Sequence, residues 1–272
     1  MIYFTGDVHA DIESDRMKFI KNLSSEDVMF VAGDFGYCWN DEFEKKWNTI
    51  SADVKANILI TPGNHENYEK LYAYPLVEIY GGKAYKMNEH TYYLKHGEIF
   101  NVNGFKILSF GGATSIDKYN RILNISWWPQ EIPIYSDYAN AIANLNKNNW
   151  DIDIFLTHTT DIHTIDRIFS DNEVDPVSKI ITDLKEEINS HNGGRRYLNI
   201  FGHLHRLCTF DNTIGLYNTI IEITKENDNL LYNHVKRLKK NQDCNTCKYF
   251  NSCPIKYDMS KTICGLMFES LK

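Results

Sequence analysis

Short apolar runs, each closed by glycine or a polar residue able to bind a metal, recur along the 272 residues of the chain. The run from Met1 to Thr5 ends at Gly6-Asp7-Val8-His9, and Val28-Met29-Phe30-Val31-Ala32 ends at Gly33-Asp34. Ile58-Leu59-Ile60 leads into Thr61-Pro62-Gly63-Asn64-His65-Glu66, Ile154-Phe155-Leu156-Thr157 into His158, and the run from Tyr197 to Phe201 into Gly202-His203-Leu204-His205. Runs this short and this apolar read as buried strands. Between them, apolar positions fall at helical spacing over 12–23 (Ile12, Phe19, Ile20, Leu23), 41–50 (Phe43, Trp47, Ile50) and 135–146 (Tyr138, Ile142, Leu145). Another helix is expected over 176–188, with Pro176 suited to its first turn.

Alternating strands and helices predict parallel strands joined by right-handed crossovers, which brings the carboxyl ends of the strands to one crevice. From 84 to 110 the pattern shifts to short strands with tight turns such as Asn103-Gly104, the mark of antiparallel sheet. Residues 115–133 read as an irregular loop, and strands over 213–217 and 220–224 close the domain. The fold class is therefore α/β. Three segments are expected: a catalytic domain over 1–225, a polar linker and basic amphipathic helix over 226–240, and a cysteine-rich extension over 241–272.

Hydrophobic residues make up 43% of the chain and aromatics 13%, enough for a packed core. A net charge of −7 excludes a protein that binds nucleic acid over its whole surface. From residue 230 onward, however, eight Lys/Arg face three Asp/Glu, a local +5 against −12 on the first 229 residues. No run approaches the ~18 apolar residues of a membrane span and no signal peptide is visible, so a cytoplasmic protein is expected. There the six cysteines would be reduced or hold metal.

The strand ends carry the candidate chemistry. Asp7 and His9 send two side chains to the same side of an extended segment, and His203 and His205 repeat that spacing directly after a glycine. The amide oxygen of Asn64 is a metal ligand of the hard or borderline kind, and His65 beside it can donate a proton. Asp7, His9, Asp34, Asn64, His158, His203 and His205 together offer oxygen and nitrogen ligands for two divalent ions.

In that order, Gly6-Asp7-Val8-His9, Gly33-Asp34, Gly63-Asn64-His65-Glu66, His158 and Gly202-His203-Leu204-His205 resemble the five motifs of the calcineurin-like metallophosphoesterases. The resemblance spans roughly residues 1–224. It implies a four-layer α/β/β/α sandwich, with Asp7, His9 and His205 on one ion, Asn64, His158 and His203 on the other, and Asp34 bridging both. The ions would be manganese, iron, zinc or nickel, and a hydroxide held between them would attack phosphorus while His65 protonates the leaving group. The chain departs from the protein Ser/Thr phosphatase branch at three positions. Tyr37 and Cys38 stand where that branch has an aspartate that orients the acid histidine and a phosphate-clamping arginine, and Pro62 replaces a second arginine. Phosphoprotein specificity is thus not implied, and the orientation of His65 must come from elsewhere.

Within the loop over 115–131, Arg121 and Lys118 are candidate phosphate donors. Trp128 is either a stacking surface for a base or a plug that fixes the loop to the core. In the tail, Cys244, Cys247, Cys253 and Cys264 have the spacing of a zinc site or an iron–sulfur cluster, with free thiols as the plain alternative. The expected function is hydrolysis of a small phosphodiester or nucleotide. The alternatives are a phosphomonoesterase or protein phosphatase, and a non-catalytic scaffold that binds nucleic acid or a partner.

Overall fold

In the computed structural model, residues 1–11, 14–169, 175–226 and 229–237 are described. The chain opens with β1 (Ile2–Thr5), α1 (Asp15–Lys21), β2 (Val28–Val31), α2 (Asp41–Ser51) and β3 (Asn57–Ile60). Then come α3 (Tyr68–Ala73), β4 (Leu76–Ile79), β5 (Gly82–Lys86), β6 (Thr91–Leu94), β7 (Glu98–Val102) and β8 (Phe105–Phe110). After the long loop follow α4 (Tyr135–Lys147), β9 (Ile154–Thr157), α5 (Ile162–Ile168), α6 (Pro176–His191) and β10 (Leu198–Phe201). The described part ends with β11 (Cys208–Phe210), β12 (Thr213–Gly215), β13 (Thr219–Glu226) and β14 (Asn229–Arg237).

The strands form two mixed sheets, ordered β14-β13-β1-β2-β3-β6-β5-β4 and β11-β12-β10-β9-β8-β7. As the alternation predicts, β1, β2 and β3 run parallel, and so do β8, β9 and β10. The antiparallel expectation over 84–110 holds for β5 with β6 and β7 with β8, but β6 joins β3 in parallel and the chain changes sheets before β7.

Burial explains why the sheets stack. Phe4, Phe30 and Leu59 from one sheet meet Ile107, Ile154, Leu156 and Ile200 from the other in a shared core. On the outer face of the first sheet, Met29, Val31, Ile58 and Ile60 pack under Met17 and Ile20 of α1, Trp47 of α2 and Leu71 of α3. The outer face of the second packs Leu108, Phe110 and Phe155 under Leu145 of α4 and Ile181 and Leu184 of α6. Strands buried on both faces lose the alternation of polar and apolar positions, which is why they read as continuous apolar runs. Side-chain oxygens cap the helices that return to the crevice: Ser14, Asn40, Asn67, Asp161 and Asp175 each accept a backbone N–H of the first turn.

The basic helix expected after residue 230 is instead β14. Its register against β13 is antiparallel and runs from Glu226↔Asn229 to Thr219↔Arg237. The unpaired edge of β13 accounts for this, because a ladder satisfies its backbone groups while Leu230 enters the core between the sheets. Cys244, Cys247, Cys253 and Cys264 lie outside the described residues. Among the described residues, no helix is long and apolar enough to cross a membrane.

Trp47 is fully buried, with its indole N–H donating to Thr91 Oγ1 at 2.9 Å. Trp47→Ala should therefore destabilise the fold by about 3–5 kcal/mol, read as a lower urea midpoint by circular dichroism. An unchanged midpoint would refute this account of the α2 packing.

Candidate metal centre

All seven ligand-type residues stand on turns after β1, β2, β3, β9 and β10, and the two-sheet packing gathers those turns into one place. The approach of the turns is close enough to demand glycine. A Cβ on Gly33, whose φ is +88°, would fall 2.0 Å from His158 Nδ1, and one on Gly63 would fall 2.1 Å from Asp34 Oδ1. Five of the seven adopt left-handed backbone: Asp7, His9, Asp34, His203 and His205 have φ of 33°, 47°, 49°, 55° and 49°. That conformation is unfavourable for residues with a Cβ, so the surrounding packing has to impose it.

Hydrogen bonding fixes the lone pairs. His158 Nδ1 lies 2.8 Å from the Ala32 carbonyl oxygen, which can only accept, so the proton is on Nδ1 and Nε2 is an acceptor. That nitrogen faces Asn64 Oδ1 at 3.0 Å and Asp34 Oδ1 at 3.3 Å. Asn64 presents oxygen rather than nitrogen because its Nδ2 donates to Ser115 Oγ at 3.1 Å. Three acceptors with no proton between them define one half of the site. The ring of His203 adjoins this half, with its centroid 5.0 Å from that of His158.

In the other half, His9 Nε2 and His205 Nε2 are 3.0 Å apart, and His205 Nε2 lies 3.6 Å from Asp7 Oδ1. Asp7 Oδ1 also accepts the His203 N–H, whereas its Oδ2 is buried without a hydrogen-bond partner. Asp34 belongs to both halves: Oδ1 faces His158 and accepts the His65 N–H at 2.8 Å, while Oδ2 is 3.8 Å from His9 Nε2. Ligand atoms of Asp7, His9 and His205, and those of Asp7, Asp34 and His158, lie within 4.8 Å of one another. An orphaned buried carboxylate oxygen and converging acceptors are what divalent cations satisfy, so the residues present fit such ions.

For two of the imidazoles the protonation state agrees with that fit. Burial lowers the pKa of His9 and takes that of His203 down to about 4, favouring the neutral imidazole that can act as a ligand. Burial alone would raise Asp34, but the fields of His158, His65 and His9 more than reverse it, and the carboxyl stays below the usual carboxylate range. A hydrogen bond to Asp7 raises His205. Glu66, which accepts the Phe35 N–H and the Tyr93 hydroxyl, is pushed up to about 8 by burial first and Asp34 second.

A family model described as "Calcineurin-like phosphoesterase" matches residues 1–207. The chain belongs to the calcineurin-like phosphoesterases. Members of this family are metal-dependent hydrolases. Among solved structures, this phosphoesterase is similar to phosphopantetheinyl hydrolase (PptH) from Mycobacterium tuberculosis, at 14% identity over 79% of this chain and 87% of that one, with a TM-score of 0.44. Among curated proteins, none matches this phosphoesterase.

The other expected site residues are placed unequally. Arg121 reaches the crevice: Nη2 is 3.3 Å from His65 Nε2, while Nε pairs with Asp117 at 2.8 Å. A guanidinium only donates, so His65 Nε2 accepts, and arginine holds this ring where the Ser/Thr phosphatases use aspartate. Lys118 places its ammonium 5.4 Å from the centroid of the Tyr119 ring. Trp128 is 2% exposed and packs edge-on against Trp39 at 5.1 Å, within the core that holds Trp47. The plug reading of Trp128 therefore replaces the stacking surface, because a ring so covered has no face for a base.

Three residues of the site escaped the sequence reading. Arg16 on α1 is buried and donates to Thr5 Oγ1, the Gly6 carbonyl oxygen and Asn218 Oδ1, which pins the turn that carries Asp7. Ser115 and Glu131 form the support of Asn64: Ser115 Oγ donates to Glu131 Oε2 at 2.6 Å, and Glu131 Oε1 accepts the Ser115 N–H at 2.8 Å. A carboxylate closely following Trp127-Trp128-Pro129 was the available signal. Glu131→Ala should leave Ser115 free to rotate and weaken manganese binding about 10–100-fold at one of two sites in a titration. Unchanged affinity at both sites would refute this role.

Proposed function

We propose that this phosphoesterase is a two-metal hydrolase of small phosphate esters that prefers diesters to monoesters. The observation that carries the reading is Asp34, whose two oxygens each face a separate cluster of metal-ligand atoms. Asp7, His9 and His205 would hold one ion, Asn64, His158 and His203 the other, and Asp34 both. The mixed nitrogen and oxygen donors suit manganese, iron, zinc or nickel. When bound, the ions would supply Lewis acidity toward water and the phosphoryl oxygens.

The chain's own residues do the rest. Arg121, held by Asp117 and beside His65, offers N–H donors to a phosphoryl oxygen. Drawn toward phosphate, it releases His65 Nε2, whose lone pair can then take a proton from water and pass it to the leaving oxygen. Asp34 orients His65 through the backbone N–H of that residue.

Charge supports the diester. A phosphate monoester is a dianion near neutrality, and the arginines that would help to hold it are absent at Cys38 and Pro62. Arg121 is one guanidinium, already paired with a carboxylate. A monoanionic diester matches that balance better. With Trp128 covered, the argument for a nucleotide base stacked on it falls away.

Manganese-loaded protein should hydrolyse bis(p-nitrophenyl) phosphate faster than p-nitrophenyl phosphate, and the reverse order would overturn the diester preference. Asp34→Asn should lose at least one ion by elemental analysis and all measurable turnover, since a neutral amide cannot screen two dications. Full metal content with normal turnover would remove Asp34 from its bridging place. His65→Ala should keep both ions yet slow esters with poor leaving groups most, by roughly 10²–10⁴-fold. Equal losses for good and poor leaving groups would refute its proton-handling role.

A further inference from the structure

The ten-residue segment that delivers Arg121 to His65 also carries apolar side chains out into solvent. Ile116, Tyr119, Ile122, Leu123 and Ile125 are 95%, 89%, 62%, 54% and 65% exposed. Single exposed apolar residues are ordinary, but five bulky ones within ten positions form a patch that calls for an occupant. The segment is not loose. Ile122 N–H donates to Ser126 Oγ at 2.9 Å, the N–H groups of Ile125 and Ser126 return to the Ile122 carbonyl, Leu123 bridges to Trp127, and Trp128 anchors the end in the core.

Beside this patch lies a cavity of about 470 Å³ with Trp39, Ile125 and Trp128 among its walls. The Trp39 ring is 6.4 Å from the His65 ring, so the cavity adjoins the residue assigned above to the leaving oxygen. Part of its polar wall, which also includes Asn124, is already engaged. Asn40 Oδ1 accepts the Phe43 N–H as a helix cap, while Asn67 accepts the Lys70 N–H and donates to the Trp39 carbonyl. Lys70 is paired with Asp41 and with Glu44, the latter at 2.6 Å. Asp41 and Glu42, on the first turn of α2, also line the cavity and disfavour a further phosphate there.

We infer that the phosphate ester cleaved here carries a bulky, uncharged, apolar substituent, which lies from the cavity beside Trp39 along Ile125 onto Ile122 and Leu123. This inference rests on the phosphoesterase reading above and adds the class of substrate. Nucleoside polyphosphates, which need cations, are poorly served by this cavity, whose one lysine is already paired with Asp41 and Glu44. An aryl or alkyl group matches the part of the wall formed by Trp39 and Ile125, which continues into the exposed Ile122 and Leu123.

The test uses the full-length, manganese-loaded protein and three diesters, the methyl phosphates of 2-methyl-, 2-butyl- and 2-hexyl-4-nitrophenol, with nitrophenolate release as the readout. The rate constant kcat/KM should rise along the series by about two- to fourfold per methylene until the seat is filled. Replacing both Ile122→Ser and Leu123→Ser, on exposed positions, should collapse the hexyl-to-methyl ratio toward one while the circular dichroism spectrum stays that of the folded protein. A ratio near one in the unmodified protein would overturn the inference, as would a high ratio that survives the double substitution. Sedimentation showing a dimer that the same substitutions dissociate would also overturn it, assigning the patch to a second copy of this chain. Hydrolysis of none of the three esters would sink the diester reading above, and this inference with it.

Discussion

A carboxylate buried between two groups of imidazoles is the constraint around which the rest of the molecule is arranged. Asp34 is 1% exposed, and an anion taken so far out of water must be matched by donors and positive charge. The His65 N–H gives one hydrogen bond, and the rings of His158 and His9 stand on either side. Bringing those groups to Asp34 requires the turns after β1, β2, β3 and β9 to meet, and that requires both sheets. Only turns with glycine at Gly33 and Gly63 can come so near. The packing of the two sheets and the charge balance of the site thus depend on each other.

Much of this was legible in the sequence because the two relevant signals are local. A strand buried on both faces is a continuous apolar run, and its end is marked by the residue that stands in the crevice, as Phe30 to Ala32 and then Asp34 show. What was illegible depends on contacts between distant segments. Residues 230–240 have helical spacing of apolar and basic positions, but over the described residues, to Arg237, the open edge of β13 decides in favour of a strand. Trp128 has the same local appearance whether it faces solvent or the core, and only Trp39, far away in sequence, settles that. The helices α3 and α5 are too short for a periodic pattern, and their polar caps are the stronger mark. Ser115 and Glu131 could not be linked to Asn64 without the fold, since 51 positions separate Asn64 from Ser115.

The loop between β8 and α4 combines three tasks that many proteins divide among several elements. Its start and end, Ser115 and Glu131, hold the Asn64 amide. Its middle carries Arg121 to His65, and Trp128 ties it to the core. An influence on the exposed part of the loop is thus one short chain of hydrogen bonds from the ligand atoms. Buried networks of this kind are stiff when every member is satisfied.

The left-handed backbone at Asp7, His9, Asp34, His203 and His205 has a consequence for how this protein can evolve or be improved. Each such residue holds conformational energy of about 1–3 kcal/mol that the packed sheets must offset. Glycine would adopt these angles without strain, so selection for heat resistance alone would tend to erode the very side chains that define the site. Activity and robustness pull these five positions in opposite directions. Gains in thermal tolerance are better sought at surface positions remote from the crevice, where no such conflict exists.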